Sequence, residues 1–207
     1  MTIYKLINNN TMIMKKFLVI LFFASLSVVA NAQYFKCSPY GVVSETDDKN
    51  YIVVTADSVS SHDLFQRVYA YVYSNFRNPD KVMNVMGEEM INIHTVQTGA
   101  YKCRGIGNMV DVDMNIILKF KDGRVRMEVV VNEQIVTSFY KYGGVRFNPN
   151  DHPEYNVTVT MFEKNGDIRS KVAVKNFNKW INAYISPLII AIKNPKSNKM
   201  SSQEEDW

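Results

Sequence analysis

Hydrophobic residues recur at helical spacing in two parts of the chain. In the first part, intervals of three and four residues place one apolar stripe along a helix. The stripe comprises Leu64, Phe65, Val68, Tyr69, Val72 and Phe76. Ser60 followed by Asp63 is a pattern typical of a helix N-terminus. Pro79 ends this helix, because the residue before a proline disfavours helical backbone angles.

The second helical pattern lies near the C-terminus and comprises Phe177, Trp180, Ile181, Tyr184, Ile185 and Leu188. Pro187 lies within it, and we expect this proline to kink or shorten the helix. Elsewhere, β-branched residues cluster or apolar residues alternate with polar ones, as in strands. The predicted strands are 51–55, 81–86, 90–96, 111–121, 124–131 and 155–163.

Turn-forming residues separate these strands. Asp122-Gly123 is typical of a two-residue hairpin between 111–121 and 124–131. Segment 99–108 is predicted to be a loop or an irregular hairpin, and glycine-rich segment 140–153 a loop. A helix between strands, then several antiparallel strands and a last helix indicate a single α+β domain.

An apolar run over 17–30 follows Lys15 and Lys16 and ends at the small-residue site 30–32. This three-part pattern predicts a secretory signal peptide over 1–32, cleaved between Ala32 and Gln33. An uncleaved anchor is the alternative, and both export the domain to the periplasm or the exterior. The rest divides into a leading segment (33–50), an α+β domain (51–193) and a polar tail (194–207) predicted to be disordered.

Charge and cysteine content narrow the function classes. The formal net charge is +4, but the leader holds three lysines and no acidic residue, so the mature chain is near +1. A general nucleic-acid role therefore has no support, and the mature chain is predicted to have no membrane span. An oxidising compartment permits a disulfide between Cys37 and Cys103, and two separate thiols are the alternative.

One stretch of the chain resembles a known family. It contains the helix end 73–79, the strand 82–85, Ile91 and Ile93 in a short strand, and the hairpin 118–126. With these features, residues 57–131 resemble a secreted bacterial family of unknown function that has a TBP-like fold. The resemblance implies a curved antiparallel sheet with helices packed on one face. It implies no activity, substrate or catalytic residue, and likeness to the TATA-binding protein does not carry DNA binding with it.

The predicted hairpin holds the main candidate site. A two-residue turn pairs Lys119 with Arg126 and Lys121 with Arg124, and alternation sends these four cations to one face. Like charges directly opposite one another are destabilising. The functional interpretation is a contact surface for an acidic envelope protein, a glycan or another anionic ligand. The alternative is a solvated face balanced by Glu128 and neighbouring carboxylates.

Other chemistry-bearing residues form no recognised motif. Asp111 and Asp113 share one side of a strand, but no calcium-loop pattern surrounds them. The three histidines, His62, His94 and His152, lack zinc-site spacing, and no Gly-x-Ser-x-Gly occurs. The sequence thus predicts no cofactor, no metal site and no catalytic residue. Aromatic residues outside the core stripes could stack on a glycan or peptide; they are Tyr34, Phe35, Tyr140 and Tyr142.

These patterns predict an exported, non-enzymatic module that binds through the sheet face left open by the helices. A small hydrolase acting on envelope polymers is the alternative, and it requires a concave pocket with converging polar groups. A third interpretation is a structural subunit that buries the same sheet face against another protein. That interpretation predicts an exposed apolar patch that includes Ile117 and Val130.

Overall fold

The computed structural model describes residues 34–104, 108–138, 141–148 and 157–194. The chain divides into two units, Met1–Ala32 and Gln33–Trp207, and every described residue belongs to the second. The predicted signal peptide, its cleavage site between Ala32 and Gln33, the tail residues 195–207, and His152 lie outside the described residues.

A hairpin begins the described chain. Its strands β1 (Phe35–Ser38) and β2 (Gly41–Ser44) form a separate two-stranded sheet. Alternate residues of both strands are buried, Phe35 completely. Part of the leading segment 33–50 is therefore a packed hairpin. Because Phe35 is buried, the expectation that it stacks on a ligand is wrong.

Within the described residues, the main sheet has seven strands in the order β4-β5-β6-β7-β8-β9, with β3 paired to β7. Its strands are β3 (Tyr51–Thr55), β4 (Met83–Met86), β5 (Met90–Arg104), β6 (Asn108–Lys121), β7 (Arg124–Ser138), β8 (Lys141–Arg146) and β9 (Val157–Thr160). All pairs are antiparallel except β8 with β9. Register shifts interrupt the β5–β6 and β6–β7 pairs, and such bulges bend and twist a sheet locally.

The central hairpin has the predicted register. Lys119 lies opposite Arg126 and Lys121 opposite Arg124, so this prediction is confirmed. Gly123 in the turn has a φ of 73°, a conformation that glycine adopts without steric cost. Strand β5 runs on through much of segment 99–108, because buried Tyr101 and Cys103 continue the alternation beyond a register shift.

Three helices complete the described domain. Helix α1 (Ser61–Asn75) begins as predicted, and the Ser60 side chain accepts a hydrogen bond from the Asp63 N–H at 3.0 Å. The short helix α2 spans Pro79–Val82. It therefore includes residues 81 and 82, which were predicted to begin a strand. Helix α3 (Lys171–Lys193) continues past Pro187, so the expected shortening is wrong. Pro187 is exposed, while Leu188 and Ile189 beyond it are buried and keep the helix packed.

Both long helices pack on one face of the sheet. The Phe65 ring of α1 meets that of Phe120 on β6 with centroids 5.6 Å apart, and the Phe177 ring of α3 meets that of Tyr101 on β5 at 5.5 Å. Alternate residues of β5, β6 and β7 are buried beneath these helices. The structure therefore confirms a sheet-rich α+β domain with helices on one face.

Candidate functional site

The sheet face opposite α1 and α3 carries the candidate site, and we call it the open face. Antiparallel register aligns its side chains in rows that cross several strands. One row runs from Met90 through Lys119 and Arg126 to Val53. The next contains Asn92, Ile117, Glu128 and Tyr51. The open face thus combines cations, amides and scattered apolar side chains.

Four cations, Lys119, Lys121, Arg124 and Arg126, form what we call the basic cluster at the hairpin end of this face. Arg126 is half-buried, and the other three are exposed. Within the described part of the chain, Lys119, Lys121 and Arg124 have no carboxylate within ion-pairing distance. Three like charges therefore face solvent without an ion-pair partner among the described residues, and an approaching anion gains from all three.

Arg126 differs from its neighbours because it has two partners. Its Nη2 lies 3.2 Å from Glu128 Oε2, and its guanidinium carbon lies 4.0 Å from the centroid of the Tyr51 ring. Glu128 Oε1 also accepts a hydrogen bond from Asn50 Nδ2 at 2.7 Å. Glu128 thus balances Arg126, as the solvated-face alternative proposed, but the other three cations lack such a partner. These two contacts hold the Arg126 side chain in position at the edge of the cluster.

Sequence patterns missed Tyr51 and Asn50 as neighbours of the basic cluster. They reach it because β3 pairs with the first half of β7, with Tyr51 opposite Glu128. Many residues separate these strands, including the whole of α1, and no turn signal links them. Alternating β-branched residues mark β3 as a strand, but its partner strand depends on tertiary packing.

A chain of amides crosses the same face beside the basic cluster. Asn92 Nδ2 donates to Asn115 Oδ1 at 3.1 Å, and Asn115 Nδ2 donates to Asn132 Oδ1 at 3.2 Å. Asn132 Nδ2 then donates to Asp113 Oδ1 at 2.7 Å, and His94 Nε2 lies 2.9 Å from that oxygen. We call these five hydrogen-bonded side chains, which come from neighbouring strands, the amide ladder. Its three asparagines carried no signal in the sequence.

Asp111 and Asp113 have separate partners. Asp111 Oδ1 accepts a hydrogen bond from the Gly99 N–H at 2.7 Å, whereas Asp113 belongs to the amide ladder. Among the described residues, no group of three or more histidine, cysteine or acidic side chains is placed to hold a metal ion.

The remaining candidate residues lie apart from the basic cluster. His62 Nδ1 lies 2.8 Å from Glu88 Oε2, and this carboxylate raises the pKa of the exposed imidazole. Cys37 and Cys103 are free thiols in the structure, and both are buried. Burial raises the pKa of Cys37 to about 12 and also raises that of Cys103. Neither thiol is prepared to act as a nucleophile at neutral pH.

Exposed apolar side chains on the open face are scattered. Val130 is 39% exposed, Val53 49%, Val96 56% and Met86 59%, while Ile117 is half-buried between polar neighbours. Polar side chains lie among them, because Ile117 is opposite Glu128, Val130 opposite Asn115 and Val96 opposite Asp113. This arrangement favours a polar or charged partner over a largely apolar one.

No protein-family model and no curated protein matches this chain. Among solved structures, the chain is similar to a TBP-like protein from Parabacteroides distasonis, known from a crystal structure. The TM-score is 0.42 at 12% sequence identity, and the similarity covers 69% of this chain and 87% of the other. The α+β class given above follows from this chain's own strands and helices. Among the described helices, none has both the length and the apolar character needed to cross a bilayer.

Proposed function

We propose that the chain is an exported, non-enzymatic binding module that holds an anionic partner of the cell envelope on its open face. The observation that carries the proposal is the basic cluster. Lys119, Lys121 and Arg124 project from one hairpin and lack a carboxylate partner among the described residues. Like charges on paired strands cost stability, and binding an anion would relieve that repulsion.

The surroundings of the cluster favour a broad polar contact. Arg126 is held by Glu128 and by the Tyr51 ring, so its charge is fixed before a partner arrives. The amide ladder lies on the same face and offers hydrogen-bonding groups beside the charges. An acidic protein surface or an acidic glycan would use both features. The positive charge accounts for association, and the amides account for selectivity.

Export belongs to the same proposal. The leader pattern over 1–32 supports it, and so does the resemblance of residues 57–131 to a secreted bacterial family of unknown function. Expressing the full chain in a bacterium and sequencing the N-terminus of the recovered protein tests this part. We expect the product to begin at Gln33 and to be found in the envelope fraction. Intact chain in the cytosolic fraction would contradict it.

The binding proposal is tested by reversing charge on the cluster. We would compare the purified mature chain with a triple variant carrying Lys119→Glu, Lys121→Glu and Arg124→Glu. A matched control carries Lys171→Glu, Lys175→Glu and Lys179→Glu, which reverse three exposed lysines of α3. The probes are alginate as an acidic glycan, poly-glutamate as an acidic polypeptide and dextran as a neutral glycan.

We expect the mature chain to bind one or both acidic probes at least about tenfold more tightly than the triple variant does. Binding should weaken as NaCl rises from about 50 to 500 mM, because salt screens exposed charges. The control variant should bind like the parent chain. Equal binding by all three proteins, or equal binding to dextran, would overturn the proposal. Turnover of an envelope polymer would favour the hydrolase alternative.

A further inference from the structure

A cleft lies on the helix side of the sheet, where the end of α1 approaches the second half of α3. Its volume is about 470 Å³, within the range of cavities that hold small organic ligands. Ile93 and Ile116 from the sheet and Ile185 and Leu188 from α3 contribute apolar side chains to its walls. These four residues are buried and form the packed floor of the cleft, whereas half-buried Phe76 and Tyr184 and exposed Pro187 supply its accessible apolar surface.

Polar groups line another part of the cleft. Gln97 Nε2 donates to Thr95 Oγ1 at 2.9 Å and to the Tyr184 hydroxyl at 3.2 Å, which holds that amide in position. The half-buried Tyr71 side chain also lines the cleft. In the described part of the chain its hydroxyl has no hydrogen-bond partner. Burial and then nearby Tyr184 raise the pKa of Tyr71, so this hydroxyl stays a proton donor at neutral pH.

Arg77 gives the cleft its charge. It follows the end of α1 and is the one charged residue among those that line the cleft in the described chain. It is exposed, and among the described residues no carboxylate pairs with it. A guanidinium binds a carboxylate through two parallel hydrogen bonds.

We propose that this cleft binds a small amphiphile that has a carboxylate head and an apolar chain, such as a medium-chain fatty acid. The chain lies against Phe76, Tyr184 and Pro187, and the head accepts hydrogen bonds from Arg77 and from the Tyr71 hydroxyl. A cationic amphiphile is disfavoured because, among the described residues, no acidic side chain lines the cleft. A neutral one would make no charge-assisted hydrogen bonds with Arg77. The site is separate from the basic cluster and does not depend on the proposed function.

Decanoate is the probe, titrated calorimetrically into the purified mature chain below its micelle concentration. Decanol and decyltrimethylammonium have the same chain length with a neutral and a cationic head. Arg77→Gln removes the charge from an exposed residue, and Tyr71→Phe removes one hydroxyl. Arg104→Gln, at the exposed end of β5 and outside both the cleft and the basic cluster, is the matched control for loss of one arginine charge.

We expect saturable binding of one decanoate per chain, weakened about tenfold or more by Arg77→Gln and several-fold by Tyr71→Phe, because charge-assisted hydrogen bonds are lost. Arg104→Gln should leave the affinity unchanged. The thermal unfolding midpoint of each variant, measured without ligand, separates loss of the site from loss of folding. The inference is overturned if decanoate gives no saturable heat, if decanol binds equally well, or if a folded Arg77→Gln variant binds like the parent.

Discussion

Asn182 shows how one buried side chain joins two parts of the domain. Its Oδ1 accepts hydrogen bonds from the N–H groups of Tyr34 at 2.6 Å and Phe35 at 3.0 Å, and its Nδ2 donates to the Phe35 carbonyl at 2.6 Å. Asn182→Ala would leave these backbone groups of β1 without their partner. Each unsatisfied buried group costs about 1–3 kcal/mol. We expect the variant to lose about 3 kcal/mol of unfolding free energy in urea titrations.

Asn165→Ala is the control for this change, because Asn165 is exposed and, among the described residues, its side chain bonds only to Asp167 in its own turn. It should alter the unfolding free energy by less than about 0.5 kcal/mol. Equal losses in both variants would show that Asn182 does not fix the hairpin to α3.

The two cysteines give a second prediction at the residue scale. Because burial raises the pKa of Cys37 to about 12, the native thiol stays protonated at the pH of an ordinary alkylation experiment. We expect iodoacetamide to react slowly with both cysteines in the native chain and rapidly in urea. Mass spectrometry should count two added groups per unfolded chain. No added group without reductant, but two after reduction, would identify a disulfide in the isolated protein.

Helix α3 contains Pro187 in its interior, and replacing this proline should stabilise the domain. Pro187 has no N–H, so it cannot donate to the carbonyl of Ala183 one turn earlier. A proline in a helix interior is about 3 kcal/mol less favourable than alanine. Pro187 is exposed, so Pro187→Ala restores the missing hydrogen bond without changing the core. We expect a gain of about 1–3 kcal/mol in unfolding free energy, visible as a higher thermal midpoint.

Pro79→Ala provides the comparison, because Pro79 lies in the first turn of α2, where the missing N–H has no helical partner. This change should leave the midpoint nearly unaltered. A fall in stability on Pro187→Ala would mean that the ring of Pro187 packs favourably enough to outweigh the lost hydrogen bond.

Local signals determined which elements could be predicted. The Ser60 cap and the Asp122-Gly123 turn are contained within a few residues, and the structure has helix α1 and the hairpin register as expected. Strand β8 lies in a glycine-rich segment predicted to be a loop. This segment forms a strand because it pairs with β7, although its glycine content favours a loop. The length of β5 was underestimated for a related reason, since a register shift carries the strand past Gly99.

For the whole molecule, the sequence predicted the α+β class and the four cations but not the surroundings of the site. The hairpin brings its own cations together. Tyr51 and the three asparagines of the ladder come from strands that meet only in the folded sheet. The cleft was also unforeseen, because it depends on where the end of α1 lies against α3. Such features depend on contacts between segments that are far apart in the sequence. Local patterns in one sequence do not predict these contacts.

The sheet itself separates the two proposed binding surfaces. The basic cluster lies on the open face, whereas the cleft lies between the helices and the buried face, with Ile116 of β6 in its wall. The sites share no side chain, so their binding free energies should add within about 0.5 kcal/mol. Saturating decanoate should therefore leave alginate or poly-glutamate affinity unchanged, and the triple charge reversal should leave decanoate affinity unchanged. If bound decanoate changed the affinity for alginate by some factor, bound alginate would change the affinity for decanoate by the same factor, because coupling between binding sites is reciprocal. Such coupling would show that the sheet transmits a rearrangement between its faces.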